Sequence, residues 1–182
     1  MDVSRPGGGT WAVGVSVPPA VERLLTADVA CEIAKTFGDS PVYPERVVVD
    51  SPRSHRRRFP GWPGPVLVLS DENQGVCSWG LPLDGSSDQV LVGGDLLDTG
   101  HATVTYTASV EDFIAARRWD YQCLRPPLLM AQAVELDQDS LRYLRARLAP
   151  AVVTAGWPGP RQYRFECQDV RVMLWSCSGQ CD

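Results

Sequence analysis

Two histidines, His55 and His101, are all the imidazole this 182-residue chain holds, so a nucleophile with a histidine base would have to use one of them. His55 lies inside Arg53-Ser54-His55-Arg56-Arg57-Arg58, where surrounding positive charge disfavours its protonation and no nucleophile motif accompanies it. His101 follows Gly100 at a strand entrance. No Gly-x-Ser-x-Gly elbow is present, and Cys77 falls between strand residues rather than at a helix start that would lower its pKa. Among the six cysteines, Cys167, Cys177 and Cys181 gather near the end. Structural zinc sites use two closely spaced pairs, however, and Cys177-Ser-Gly-Gln-Cys181 supplies one. Most of the six, which also include Cys31 and Cys123, read as small buried apolar residues. Gly7-Gly8-Gly9 and Val92-Gly93-Gly94 lack the Lys, the Ser/Thr and the following helix of a phosphate loop. The carboxylate pairs Asp71-Glu72 and Asp95 with Asp98 show no calcium-ligand spacing. The residues therefore predict no catalytic group, no metal and no cofactor.

Charge is more informative than any of these motifs. From Phe59 to Ala116 there is no Lys or Arg, against eight of the chain's 22 acids: Asp71, Glu72, Asp84, Asp88, Asp95, Asp98, Glu111 and Asp112. All 17 basic residues lie outside that stretch, Lys35 being the single lysine. Such asymmetry bears on partners and association rates. An acidic face repels nucleic acid and attracts a basic protein, so Asp71, Glu72, Asp84, Asp88, Asp95 and Asp98 are the candidate partner-binding residues. Arg53 to Arg58 offers the opposite, a local phosphate-binding loop.

These side chains have to be positioned by a fold. A chain of this length buries roughly 70% of its unfolded surface, so one domain stands without metal or disulfide. Met1 to Pro19 has no uninterrupted apolar signal region, and no window approaches the ~18 apolar residues of a membrane helix, so a cytoplasmic location is expected. Residues 1–18, rich in Gly and Pro, read as a flexible arm in which Trp11 to Val15 could form a short strand. Pro19 to Phe37 carries apolar residues at helical spacing, one helix or two with Thr26 as a second cap. Val47-Val48-Val49 reads as a short strand. Val66 to Ser70 and Val76 to Trp79 form the clearest hairpin, reversing at Asn73 and Gly75. Val90 to Val92 and Ala102 to Thr107 are further strands. Ser109 starts a helix by a capping box with Asp112. Leu128 to Val134 is an apolar stretch opened by Pro126-Pro127, Asp139-Ser140 caps a helix over Leu141 to Leu148, and Tyr163 to Cys167 pairs with Val170 to Ser176. Strands and helices segregate, predicting an α+β fold: one twisted, mostly antiparallel sheet with helices packed on one side. The expected organisation is a single domain over 19–182, in which 119–182 completes the body or packs on it. Gly61-Trp62-Pro63-Gly64-Pro65 recurs as Gly156 to Pro160, two similar loops that each feed a strand.

The run Leu69-Ser70-Asp71-Glu72-Asn73-Gln74-Gly75-Val76-Cys77-Ser78-Trp79-Gly80, followed by Asp88 and by Ser109 to Ile114 and Trp119, resembles the SUKH superfamily. That superfamily includes a yeast cell-wall regulator and many bacterial immunity proteins. The segment from Gly156 through Tyr163-Arg164-Phe165 to Trp175 is similar to actinobacterial relatives. The resemblance implies an α+β fold and a binding function without catalysis, commonly neutralisation of a toxin, so the expected partner is a protein such as a basic toxin domain. Neither nucleic acid nor membrane is an expected partner, given the acidic middle and the lack of a long apolar window. The short helical lead-in before Val47 and the long C-terminal extension depart from the pattern. Two other classes stay open: a small enzyme or ligand-binding protein with a pocket lined by Trp62, Trp79 and Trp119, and a scaffold subunit marked by exposed apolar patches.

Overall fold

A computed structural model describes residues 19–24, 39–41, 48–53, 57–85, 87–94, 101–123, 136–167 and 170–175. The N-terminal arm, the Thr26 cap, His55, the apolar stretch 128–134, Asp95, Asp98, Cys31, Cys177 and Cys181 lie outside the described residues. The elements are α1 (Pro19–Leu24), β1 (Ser40–Pro41), β2 (Val49–Asp50), β3 (Val66–Asp71), β4 (Ser78–Pro82), β5 (Val90–Gly94), β6 (His101–Thr107), α2 (Val110–Cys123), α3 (Gln138–Arg147), β7 (Ala149–Ala155), β8 (Arg161–Cys167) and β9 (Val170–Trp175).

The expected α+β class holds, with two antiparallel sheets in place of one. The first runs β1-β3-β4-β5-β6, and β2 also pairs with β3. β1 meets Ser70 and Asp71 while β2 meets Val66 and Leu67, and the Val68 amide donates to the Val48 carbonyl at 2.9 Å between them. Two short strands thus share one edge of β3. The hairpin β3–β4 matches the sequence expectation, with Gly75 at φ 73° in its turn.

Val66-Leu67-Val68-Leu69 is buried on both sides, which explains its unbroken apolar run. Leu67, Leu69, Trp79, Leu81, Val90 and Val92 face Val21 and Leu24 of α1 and Val110 and Phe113 of α2. Tyr106 packs edge to face with Trp79 and with Phe113 there, and Trp79 and Phe113 meet at a tilt, with centroids 5.8–6.4 Å apart. The opposite face, Val66, Val68 and Leu91, is covered by Phe59 and Trp62 of the preceding loop. That loop sits so close that a Cβ built on Gly80 would lie 2.5 Å from Phe59 Cζ, and one on Gly93 would lie 2.1 Å from the Arg58 carbonyl oxygen. Helices on one side and a loop on the other make the sheet a buried middle layer.

Helix α2 begins as its sequence predicts: the Ser109 hydroxyl accepts the Asp112 amide at 3.0 Å. Helix α3 begins earlier than expected. Its N-cap is Asp137, whose Oδ1 accepts the Ser140 amide at 2.6 Å, so Asp139 and Ser140 fall inside the first turn.

The second sheet, β7-β8-β9, contains the expected terminal hairpin plus the unforeseen β7. Pro150 and a register shift between Pro150 and Val153 sit at the start of β7, where an edge strand tolerates them. The two Gly-Trp-Pro-Gly-Pro loops each join antiparallel neighbours, β2 to β3 and β7 to β8, and each opens on a left-handed glycine, φ 82° at Gly61 and 91° at Gly156. Gly61 faces open space, whereas a Cβ on Gly156 would lie 2.4 Å from Val104 Cγ2 and 2.5 Å from Val92 Cγ1. The second loop is wedged onto the first sheet.

A buried polar cluster completes the junction. Arg164 on β8 donates to both carboxylate oxygens of Asp120 on α2, at 2.7 and 2.9 Å. It also reaches Thr154 at 3.0 Å, Gln162 at 3.2 Å and the Tyr106 hydroxyl at 3.4 Å. Arg164 and Asp120 are both buried.

Candidate functional site

The β3–β4 turn owes its shape to its own acids. Glu72 folds its carboxylate back over the turn, where Oε2 accepts the Gln74 amide at 2.7 Å and the Val76 amide at 3.2 Å. Asp71 accepts from Arg58 Nε at 3.1 Å and from the Ser78 hydroxyl at 2.5 Å. Asp39 braces the turn from outside the hairpin: Oδ1 accepts the Asn73 amide at 3.2 Å, while Oδ2 pairs with Arg117 of α2. The Arg117 guanidinium lies 4.8 Å above the Trp79 ring. Burial pushes the Asp39 carboxyl above the usual carboxylate range, against the opposing pull of Arg117 and the Asn73 amide. The two carboxylates predicted to face a partner, Asp71 and Glu72, are therefore engaged inside the hairpin, and the exposed tip is Asn73-Gln74.

Strand direction divides the remaining acids. The turn 72–77 lies at one end of the first sheet. β4 then carries the chain to the other end, about 15 Å away for five residues, where Asp84 and Asp88 stand exposed in the β4–β5 connection. Val90 pairs with Thr107, so the first turn of α2, with Glu111 and Asp112, starts at that same end. Asp84, Asp88, Glu111 and Asp112 share one end of the sheet, and Glu72 does not join them. Arg23 of α1 pairs with Glu111, which brings a cation to that end.

The three tryptophans do not line one pocket. Trp79 packs under α2 and Trp62 packs on the opposite face of the sheet. Trp119 is buried on α2. Cys77 borders a cavity of about 10 Å³ with Val92, Gly93, Gly156 and Trp157, room for one water. Burial, then the charges of Glu72 and Asp39, push the Cys77 thiol well above its ordinary pKa, so it stays protonated and is a poor nucleophile. Native-state alkylation at pH 8 is expected to leave Cys77 unmodified over hours, with full labelling in denaturant. Peptide mapping by mass spectrometry checks this, and rapid native labelling would mean that the thiol is open and activated.

His101 opens β6 opposite Gly94. Among the described residues no group of three or more His, Cys, Asp or Glu is placed to hold a metal, and no helix is long and apolar enough to cross a membrane. Sequence reasoning missed the cations that close on the acids, Arg58, Arg117 and Arg164. Their one sequence signal was charge inside an otherwise apolar helical stripe, at Arg117 and Asp120. No family model, curated protein or solved structure matches this chain.

Proposed function

We propose that the chain is a non-catalytic, protein-binding domain of the SUKH kind, acting in the bacterial cytoplasm as an immunity or antitoxin-type protein or as a regulatory binder of a basic partner. The observation that carries this reading is the gathering of Asp84, Asp88, Glu111 and Asp112 at one end of the first sheet. A concentrated acidic end steers a cationic protein to it and accelerates encounter. The residues that resemble SUKH proteins support the same reading from the other end, because they build a turn fixed by three separate carboxylates. A rigid turn loses little entropy on docking.

The test begins with affinity capture and mass spectrometry from the native cell, followed by stopped-flow association of the purified partner. Asp84→Lys/Asp88→Lys/Asp112→Lys is expected to slow association by about tenfold at low ionic strength, with the difference closing at high salt. An association rate indifferent to both charge reversal and salt would remove the acidic end as the binding surface. A second reading, a subunit of a larger assembly, draws on the exposed apolar side chains of β9, where Val170 is 57% and Trp175 46% exposed. Sedimentation within the captured complex, with β9 substituted, separates the two.

A further inference from the structure

Helix α3 turns one stripe of its surface outward, and the order of residues along that stripe is complementary to its own reversal. Leu141 is buried on the inner side, where the Arg145 guanidinium lies 4.7 Å from the Tyr163 centroid. At about 100° per residue, the outer side carries Asp139, Ser140, Tyr143, Ala146 and Arg147. Tyr143, 55% exposed, stands in the middle. Ser140 and Ala146, both small, lie three residues to either side of it, and Asp139 and Arg147 lie four to either side. One acid and one base are thus about 12 Å apart along the axis, at equal distances from the tyrosine. The Arg147 guanidinium lies 4.4 Å from the Tyr143 centroid, which holds it on the outward stripe. Asp139 gives Oδ1 to Arg142 at 2.5 Å, but with side chains 85% and 76% exposed that pair is weak and easily shared. The groove beside these residues is open and runs past Leu136, Tyr143 and Leu144.

We propose that this stripe is the contact of a homodimer, in which two α3 helices cross antiparallel about a two-fold axis at Tyr143. An isologous contact requires a patch that matches its own rotated image. Here the rotation brings Tyr143 onto its counterpart, Ser140 onto the second copy's Ala146 and Asp139 onto the second copy's Arg147, the last two pairs each formed twice. The small residues let the helix axes approach to about 8–10 Å. The stacked guanidinium keeps its N–H edge for the incoming carboxylate and is ordered beforehand. A parallel pair would set acid against acid and base against base, so charge fixes the direction. A foreign protein would have to supply this same order of acid, aromatic and base, whereas a second copy carries it already. One helix from each copy makes a small interface, so a dissociation constant of roughly 10–100 μM is expected. The acidic end of the first sheet contributes no residue to this contact.

Sedimentation equilibrium of the full chain from about 1 to 500 μM tests this. Wild type is expected to pass from monomer to dimer over that range. Tyr143→Asp sets two carboxylates against each other at the axis and should raise the dissociation constant at least about tenfold. Asp139→Arg and Arg147→Asp should each stay monomeric alone, because each brings like charges together across the axis. Mixed in equal amounts they should form a heterodimer about as tight as the wild-type dimer, since one then offers two cations and the other two acids. All three positions are exposed, and circular dichroism verifies that each variant is folded. A wild type still monomeric at the highest concentration would overturn the proposal. So would a mixture that associates no more than its two components, which would remove the antiparallel register. A dimer that withstands Tyr143→Asp and dissolves on Trp175→Lys would belong to the edge strand β9, and the proposal would fall with it.

Discussion

Asp120→Ala is expected to destabilise the protein by about 3–5 kcal/mol, seen as a fall in melting temperature of roughly 10 °C for a chain of this size. Arg164 is buried and forks onto both oxygens of Asp120. Removing the carboxylate leaves the guanidinium in a low-dielectric site with only the neutral acceptors Thr154, Gln162 and Tyr106. An uncompensated buried charge is far costlier than the net worth of the pair. The double variant Asp120→Leu/Arg164→Met removes both charges together and should recover most of the loss. Urea unfolding of the three proteins distinguishes the cases. A single variant less than about 1 kcal/mol below wild type would mean that water reaches Arg164.

Gly93→Ala should be nearly as damaging, on the order of 3 kcal/mol or more, although it adds one methyl group. The new Cβ would stand 2.1 Å from the Arg58 carbonyl oxygen and 2.8 Å from Phe59 Cδ1. The nearer atom is backbone, which cannot rotate aside. The loop has to lift, taking the fully buried Phe59 from its seat on Val66, Val68 and Leu91. Trypsin should then cut at Arg57 and Arg58 much faster than in wild type. Gly61→Ala is the control: it meets nothing within 4 Å and bears only the strain of its φ of 82°, about 1 kcal/mol. Equal melting temperatures for Gly93→Ala and wild type would show that the loop does not bear on the sheet.

What was legible in the sequence was local. Asn73, Gly75 and the flanking Val and Leu runs announced the hairpin because turn chemistry and β-branching act between neighbours. Ser109 announced α2 for the same reason. β7 escaped although Val152-Val153-Thr154 is a β-branched run, because Ala149-Pro150-Ala151 ahead of it has no strand signature and its place in a sheet is decided by β8. The acid-rich stretch from Phe59 to Ala116 was real as sequence and incomplete as a surface. Arg58 lies 13 residues from Asp71, and Arg117 lies 78 from Asp39, so the neutralising charges arrive only through the tertiary fold. Glu72 carried a readable clue. A carboxylate just before Asn-Gln-Gly is placed to accept amides two and four residues on, a turn-building role that competes with presentation to a partner.

Because β1 and β2 divide the outer edge of β3, with Val48 filling the gap, that flank of the first sheet offers an approaching strand no long row of unused backbone donors and acceptors. β9, six residues long with Val170 and Trp175 exposed at its two ends, has no such guard among the described residues. Aggregation at high concentration, if provoked by heat or mild acid, should therefore propagate from the last strand outward, and a lysine placed at Val172 should raise the solubility limit more than the same change anywhere on the first sheet.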